Sequence, residues 1–174
     1  EALTTDYAYI MNDDGTISVS GYTGSDTDLT VPGLIDGYVV TGIADHAFEA
    51  NADIKSITLP NGLITIGESA FSDCSSLTTV VIPDTVGTIR RGAFISCTAL
   101  TTLDIPASVT EIMEEAFTGC AALKDLTVES STVEFTNWWV DTDEIPSDLT
   151  ITCPKDSKIA AWAEKNNVAT EPLS

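Results

Sequence analysis

Basic side chains are scarce in this chain of 174 residues. Seven Lys and Arg stand against 27 Asp and Glu, a formal net charge of −20. Grip on phosphate needs clustered Lys and Arg, so the balance excludes nucleic-acid binding and repels anionic membranes. Histidine is nearly absent, with His46 the only one. That leaves no Ser-His-Asp or Cys-His relay to assemble and no imidazole to complete a zinc site with the cysteines. No run of 18 apolar residues exists, so no membrane-spanning helix is expected. The chain opens at Glu1 without Met, as expected of a mature or trimmed form; a leader removed before it is compatible with this and is not seen in the sequence.

What is present is a period. Phe48, Phe71, Phe94 and Phe117 are 23 residues apart. Ala47, Ala70, Ala93 and Ala116 keep the same spacing, as do Ile43, Ile66, Ile89 and Ile112. So do Ile54, Leu77, Leu100 and Leu123, then Pro60, Pro83 and Pro106, then Cys74, Cys97 and Cys120, with Asn51 one period earlier. A fixed period of this length is the signature of a solenoid. Within each period apolar positions recur mostly every third residue, unlike the three-and-four rhythm of an amphipathic helix. Alternation by two at Val80-Val81-Ile82 marks a short strand, closed by Pro83, which cannot donate to a ladder. Each coil is therefore expected to hold a strand, a Pro turn, an extended or 3₁₀ return, and an Ala-Phe corner.

A single coil exposes too much of its own apolar surface to fold alone. Neighbours must supply the cover and the backbone partners. Stacking in register, with about 4.8 Å between strands, predicts a parallel ladder, a column of Phe rings and a column of small Ala corners. Six strand sites are expected: 29–31, 57–59, 80–82, 103–105, 126–128 and 151–153. Pro32 to Ile43 is five residues longer than Pro60 to Ile66, so residues 33–38 should bulge. Residues 7–11 and 17–22, around Asn12-Asp13-Asp14-Gly15, have the pattern of a capping hairpin. At the other end, Asp156-Ser157 precedes a short amphipathic helix over 158–166 that buries Ile159 and Trp162. The division expected is one domain: hairpin cap 1–28, repeats 29–154, helical cap 155–174.

The unit Ala-Phe-x-x-Cys-x-x-Leu-x-x-Val-x-Ile-Pro-x-x-Val-x-x-Ile, carried in full by residues 70–89, resembles the BspA-like, Treponema-type leucine-rich repeat. Residues 93–112 match it with Leu103 in place of Val, and residues 47–66 with Asn51 in place of Cys. The resemblance covers about residues 7 to 165. It implies a right-handed, β-rich leucine-rich-repeat solenoid of about six coils with little helix. It also implies an extracellular or surface-anchored bacterial protein acting in adhesion, with a protein or glycan partner on a host or microbial surface. A spacer or scaffold segment without a ligand of its own is the alternative function.

Function is expected on the outward face of the strands. Residues flanking the inward positions there are Ser56 and Thr58, Thr79 and Val81, Thr102 and Asp104, and Asp125 and Thr127, followed by Thr150 and Thr152. Stacked, they make a flat or gently concave, Thr-rich surface, either a solvated sheet face or a ligand platform. Asp104 and Asp125 fall on a diagonal roughly 8 Å long, within the carboxylate separation of inverting glycosidases. An open face gives neither carboxyl the burial that a general acid requires, so no catalytic residue is assigned. Cys74, Cys97, Cys120 and Cys153 are read as small buried hydrophobes, because stacked Cβ atoms about 4.8 Å apart are too distant for a disulfide. Neither Asp13-Asp14 nor Asp141–Glu144 has the alternating acids of a calcium loop, and no metal or cofactor is expected. Trp138-Trp139 offers a candidate aromatic contact if one of the pair is exposed, the alternative being that a bend packs both inside.

Overall fold

The computed structural model describes residues 4–139, 141 and 144–173. Thr142 and Asp143 of the acidic run lie outside them. The chain forms a β-solenoid of about seven turns with one short helix. One hydrophobic core runs its length, from Tyr7 to Ala163.

The predicted strand ladder is present. It contains β3 (Asp28–Thr30), β6 (Ser56–Thr58), β8 (Thr79–Val81), β10 (Thr102–Ile105), β12 (Asp125–Val128) and β14 (Thr150–Cys153). All pairings are parallel, and β6 meets β8 with Ser56 opposite Thr79 and Thr58 opposite Val81. The ladder falls into two sheets, β3-β6-β8 and β10-β12-β14, which abut where β8 meets β10. A seventh strand, β15 (Ala169–Pro172), adds to β14 in parallel. It was not expected, since all four of its residues are exposed and it ends on Pro172. Backbone pairing at a sheet edge holds it, where a proline is tolerated.

The return of each coil is not simply extended or 3₁₀. Two-residue strands form there: β7 (Thr65–Ile66), β9 (Thr88–Ile89), β11 (Glu111–Ile112) and β13 (Glu134–Phe135). They join β5 (Tyr38–Ile43) and the hairpin β1 (Tyr7–Met11) and β2 (Ile17–Tyr22) in a second sheet, order β1-β2-β5-β7-β9-β11-β13. The hairpin thus caps the solenoid by giving this second sheet its first strands, with β2 parallel to β5. The expected bulge is itself a small hairpin, β4 (Leu34–Ile35) against the start of β5. Asp36 (φ 51°) and Gly37 (φ 86°) form its turn, matching the two positive φ angles a type I′ turn requires.

The corners obey a backbone rule that the side chains conceal. His46, Ser69, Gly92 and Glu115 share one register, and all have φ between 50° and 61°. Ala50, Asp73, Ser96 and Gly119 share a second, with φ between 56° and 75°. Two left-handed residues per coil turn the chain back on itself and aim its N–H groups at the next coil. Phe48, Phe71 and Phe94 donate to Ala70, Ala93 and Ala116 oxygens at 2.8, 2.8 and 3.0 Å. The Phe rings then stack as predicted, with centroids 5.3, 5.5 and 6.2 Å apart and planes within 14°.

In the last coil the corner slips by one residue. Phe117 donates to the Trp138 oxygen, where the period would place residue 139. Trp139 therefore follows Phe117 in the aromatic column, 5.7 Å away, and Trp138 takes the alanine position. The helix α1 (Lys158–Lys165) closes this end, with Ser157 accepting from Ala160 N at 3.1 Å as its N-cap. Trp162 on α1 stacks on Trp139 at 5.8 Å and 16°.

Candidate ligand-binding face

In β strands successive side chains alternate between faces, and the pairing registers line up the outward ones. One column runs Asp28, Ser56, Thr79 in the first sheet and Thr102, Asp125, Thr150, Ala169 in the second. The other runs Thr30, Thr58, Val81, then Asp104, Thr127, Thr152, Glu171. Thr58, Thr79, Val81, Thr102, Asp104 and Asp125 are exposed, while Ser56 and Thr127 are half-buried. Ser56 donates to the Asp28 carboxylate at 2.5 Å, and this bond holds Asp28 ionised below the usual carboxylate range. Val81, 49% exposed, is the one large apolar side chain among these outward positions of the strands and lies near their middle.

Asp104 pairs with Thr127 and Asp125 with Thr102, so the two acids are diagonal neighbours on an open surface. Neither is desolvated, and nothing near them builds a pocket. Depressions among the described residues lie elsewhere, one of about 580 Å³ against α1 at the C-terminal end. Another of about 300 Å³ sits against β11 and β13 and one of about 440 Å³ against β2, β5 and β7, both on the sheet that begins with the hairpin. Among the described residues no group of three or more His, Cys, Asp or Glu is placed to hold a metal ion. Among the described residues no helix is long and apolar enough to cross a membrane.

Trp138 and Trp139 offer no exposed contact. They are 1% and 4% exposed and pack with Phe117, Phe135 and Trp162. A bend after Asn137 (φ 28°) removes the extended geometry that would have sent one of them outward. His46 is half-exposed in its left-handed corner and pairs with Glu49 at 3.0 Å, with no second functional group beside it.

The cysteine column is buried, as expected, but it is not merely apolar. Cys74, Cys97 and Cys120 donate their thiols to the oxygens of Phe48, Phe71 and Phe94 in the preceding coil, each at 3.1 Å. Asn51 fills the first slot and accepts from the N–H groups of Asp53 and Ile54, so the position satisfies backbone groups in each of these four coils. All four thiols are free. Burial pushes Cys74 and Cys120 from 9.0 up to about 12, and Cys97 higher still. Between pH 9 and 12 the unfolded chain then sheds thiol protons that the folded chain keeps. Stability is intact below pH 9 and falls as pH rises through that window, by about 1.4 kcal/mol per pH unit for each thiol. Urea titrations at pH 8 and pH 10.5 should show the loss, and Cys97→Ala should flatten it. Dithionitrobenzoate should label no thiol in native protein and all four in urea; a slope unchanged by Cys97→Ala would count against this.

Residues 40–150 match the family model of the BspA type leucine rich repeat region, in six copies. The chain is similar to a leucine-rich-repeat protein of Treponema pallidum, with 25% identity and a TM-score of 0.79 over 87% of this chain and 71% of that one. A leucine-rich-repeat protein of Bacteroides capillosus is 31% identical, with a TM-score of 0.64 over 72% of this chain and 95% of that one. The pneumococcal vaccine antigen PcpA shares the fold at 19% identity, with a TM-score of 0.65 over 97% of this chain and 47% of that one. No curated protein matches the chain.

Proposed function

The chain belongs to the BspA-type leucine-rich-repeat family, and from that premise we propose that it is a non-catalytic binding module of a surface or secreted bacterial protein, engaging a protein or glycan partner through its outward strand face. The observation that carries this reading is the pair of outward columns, which present Thr, Ser and Asp at a regular spacing on a rigid backbone. Such a face loses little conformational entropy on binding, because ladder pairing has already fixed it. Its side chains are short and hydrogen-bond-competent, and Val81 adds an apolar contact. Family members are bacterial surface proteins, which supports an extracellular setting. A net charge of −20 steers cationic patches on a partner toward it.

The test is a variant with Thr79→Ala, Thr102→Ala, Asp104→Asn and Asp125→Asn together. Binding to immobilised extracellular-matrix proteins should weaken at least tenfold. The melting temperature should stay within a few degrees of the parent, since these positions are exposed. Equal retention by parent and variant would overturn the face as the binding surface, and no retention of the parent would favour a spacer role.

A further inference from the structure

Departures from the 23-residue pattern converge on the groove between the N-terminal hairpin and the first coils. On the second sheet, the outward position held by Thr65, Thr88 and Glu111 is Gly42 in β5. One residue before it in the coil, Ile64 stands 51% exposed where Thr41, Gly87 and Thr110 stand in the other coils. Ile10 of β1, 53% exposed, lines the same groove from the hairpin side. The absence of a side chain at Gly42 makes room for the Ser18 hydroxyl against the strand, and both line a depression of about 440 Å³, within the range that holds small ligands. From these features we propose that the groove is a second ligand site, separate from the strand face, and that it takes one sugar residue of a neutral glycan.

The wall at the hairpin turn is rigid. Asn12 donates to Thr16 and Thr41 at 2.9 and 3.2 Å, Ser18 donates to Asn12 at 3.0 Å, and Thr16 and Thr41 hydroxyls meet at 2.7 Å. Two bonds from Thr16 hold the Asp14 carboxyl below its ordinary range, so it is an acceptor at neutral pH. Across the groove Asp45 takes the Glu68 N–H at 2.7 Å and lies 3.5 Å from the Arg90 guanidinium. That contact leaves most of the Arg90 donors for a ligand. Gly67 belongs to the floor, where an added Cβ would come within 2.5 Å of the Ala44 backbone.

Sugar chemistry matches this set. A pyranose has hydroxyls at its edges and a C–H face. Carboxylates accept from paired hydroxyls, the Arg90 guanidinium and the Thr65 hydroxyl donate to ring and hydroxyl oxygens, and Ile10 and Ile64 offer apolar contact to C–H groups. Two carboxylates on a chain of charge −20 disfavour an anionic sugar.

Saturation-transfer NMR with methyl β-galactoside, methyl α-mannoside and N-acetylglucosamine tests the proposal, with sialic acid as comparator. Transfer is expected to at least one neutral sugar and not to sialic acid. Gly42→Thr installs the residue that β7 and β9 carry at this position, so the strand should persist while the groove fills. The Ser18 hydroxyl, 2.5 Å from the new Cβ, has to swing aside. Transfer should fall at least tenfold in Gly42→Thr and in the surface change Arg90→Ala, which covers the case that the first variant fails to fold. The fourfold strand-face variant should keep the sugar signal, which separates this site from that surface. No transfer to any neutral sugar, equal transfer to sialic acid, or transfer unchanged by Arg90→Ala would overturn the proposal.

Discussion

Phe94→Ala is expected to lower the unfolding free energy by about 4 kcal/mol in urea titrations, the middle of the range for a buried aromatic truncation. Phe94 is fully buried and lies between two parallel partners, Phe71 at 5.5 Å and Phe117 at 6.2 Å. Removing the ring leaves two faces without contact, and the fixed backbone of the corners limits collapse into the gap. Phe94 N still donates to Ala116 O, and its own oxygen still accepts the Cys120 thiol. Those bonds pin the coil in place, so the cavity persists. Phe48→Ala should cost less, because Phe48 stacks on one Phe alone. In a solenoid, stability is a sum over neighbouring pairs, and a central defect weakens two junctions where a terminal one weakens a single junction. A cost under about 1.5 kcal/mol for Phe94→Ala, or a larger cost for Phe48→Ala, would contradict this account.

Trp138→Ala should be comparably severe, at roughly 3–5 kcal/mol, with a different signature. Trp138 contacts Phe117, Phe135, Trp139 and Trp162, so it joins the aromatic column to the C-terminal helix. Without it the last coil loses the wedge that fills the shortened corner, and Trp162 of α1 loses one of its three aromatic partners. The chain has three tryptophans, and the two remaining ones, Trp139 and Trp162, both lie in this cluster. Their fluorescence therefore reports on the cap alone, while far-UV circular dichroism reports on the ladders. In the parent the two transitions should coincide. In Trp138→Ala the fluorescence transition should come at lower urea, as the cap frays before the ladders melt. Coincident transitions in the variant, with a loss under about 1 kcal/mol, would show that Trp138 does not carry the cap.

The stack itself was legible from the period, because each register of identical residues maps onto one column. The Phe column, the Ala corners, the strand ladder, the capping hairpin and the Ser157 cap all follow from that spacing and from local turn chemistry. The second sheet was not legible. Two-residue strands such as Thr65–Ile66 are too short to show alternation, and only stacking makes them strands. β15 has no buried residue and hence no pattern. The left-handed corners were hidden because His46, Ser69, Gly92 and Glu115 share a backbone angle and no side-chain chemistry. An exposed member of the tryptophan pair was the wrong alternative, since the bend after Asn137 packs both Trp138 and Trp139 inside. The outward columns of the strand face were placed by alternation, but the groove at Gly42 was not. A missing side chain matters only once its neighbours in adjacent coils are known.

The whole account rests on equal-length turns lying one above another in register. Nuclear Overhauser spectroscopy on protein with labelled phenylalanine rings tests this directly. Ring-to-ring cross-peaks should connect Phe48 with Phe71, Phe71 with Phe94, and Phe94 with Phe117, and should be absent between Phe48 and Phe94, which lie twice as far apart. Missing cross-peaks between successive rings, or one joining Phe48 to Phe117, would contradict the stacked solenoid.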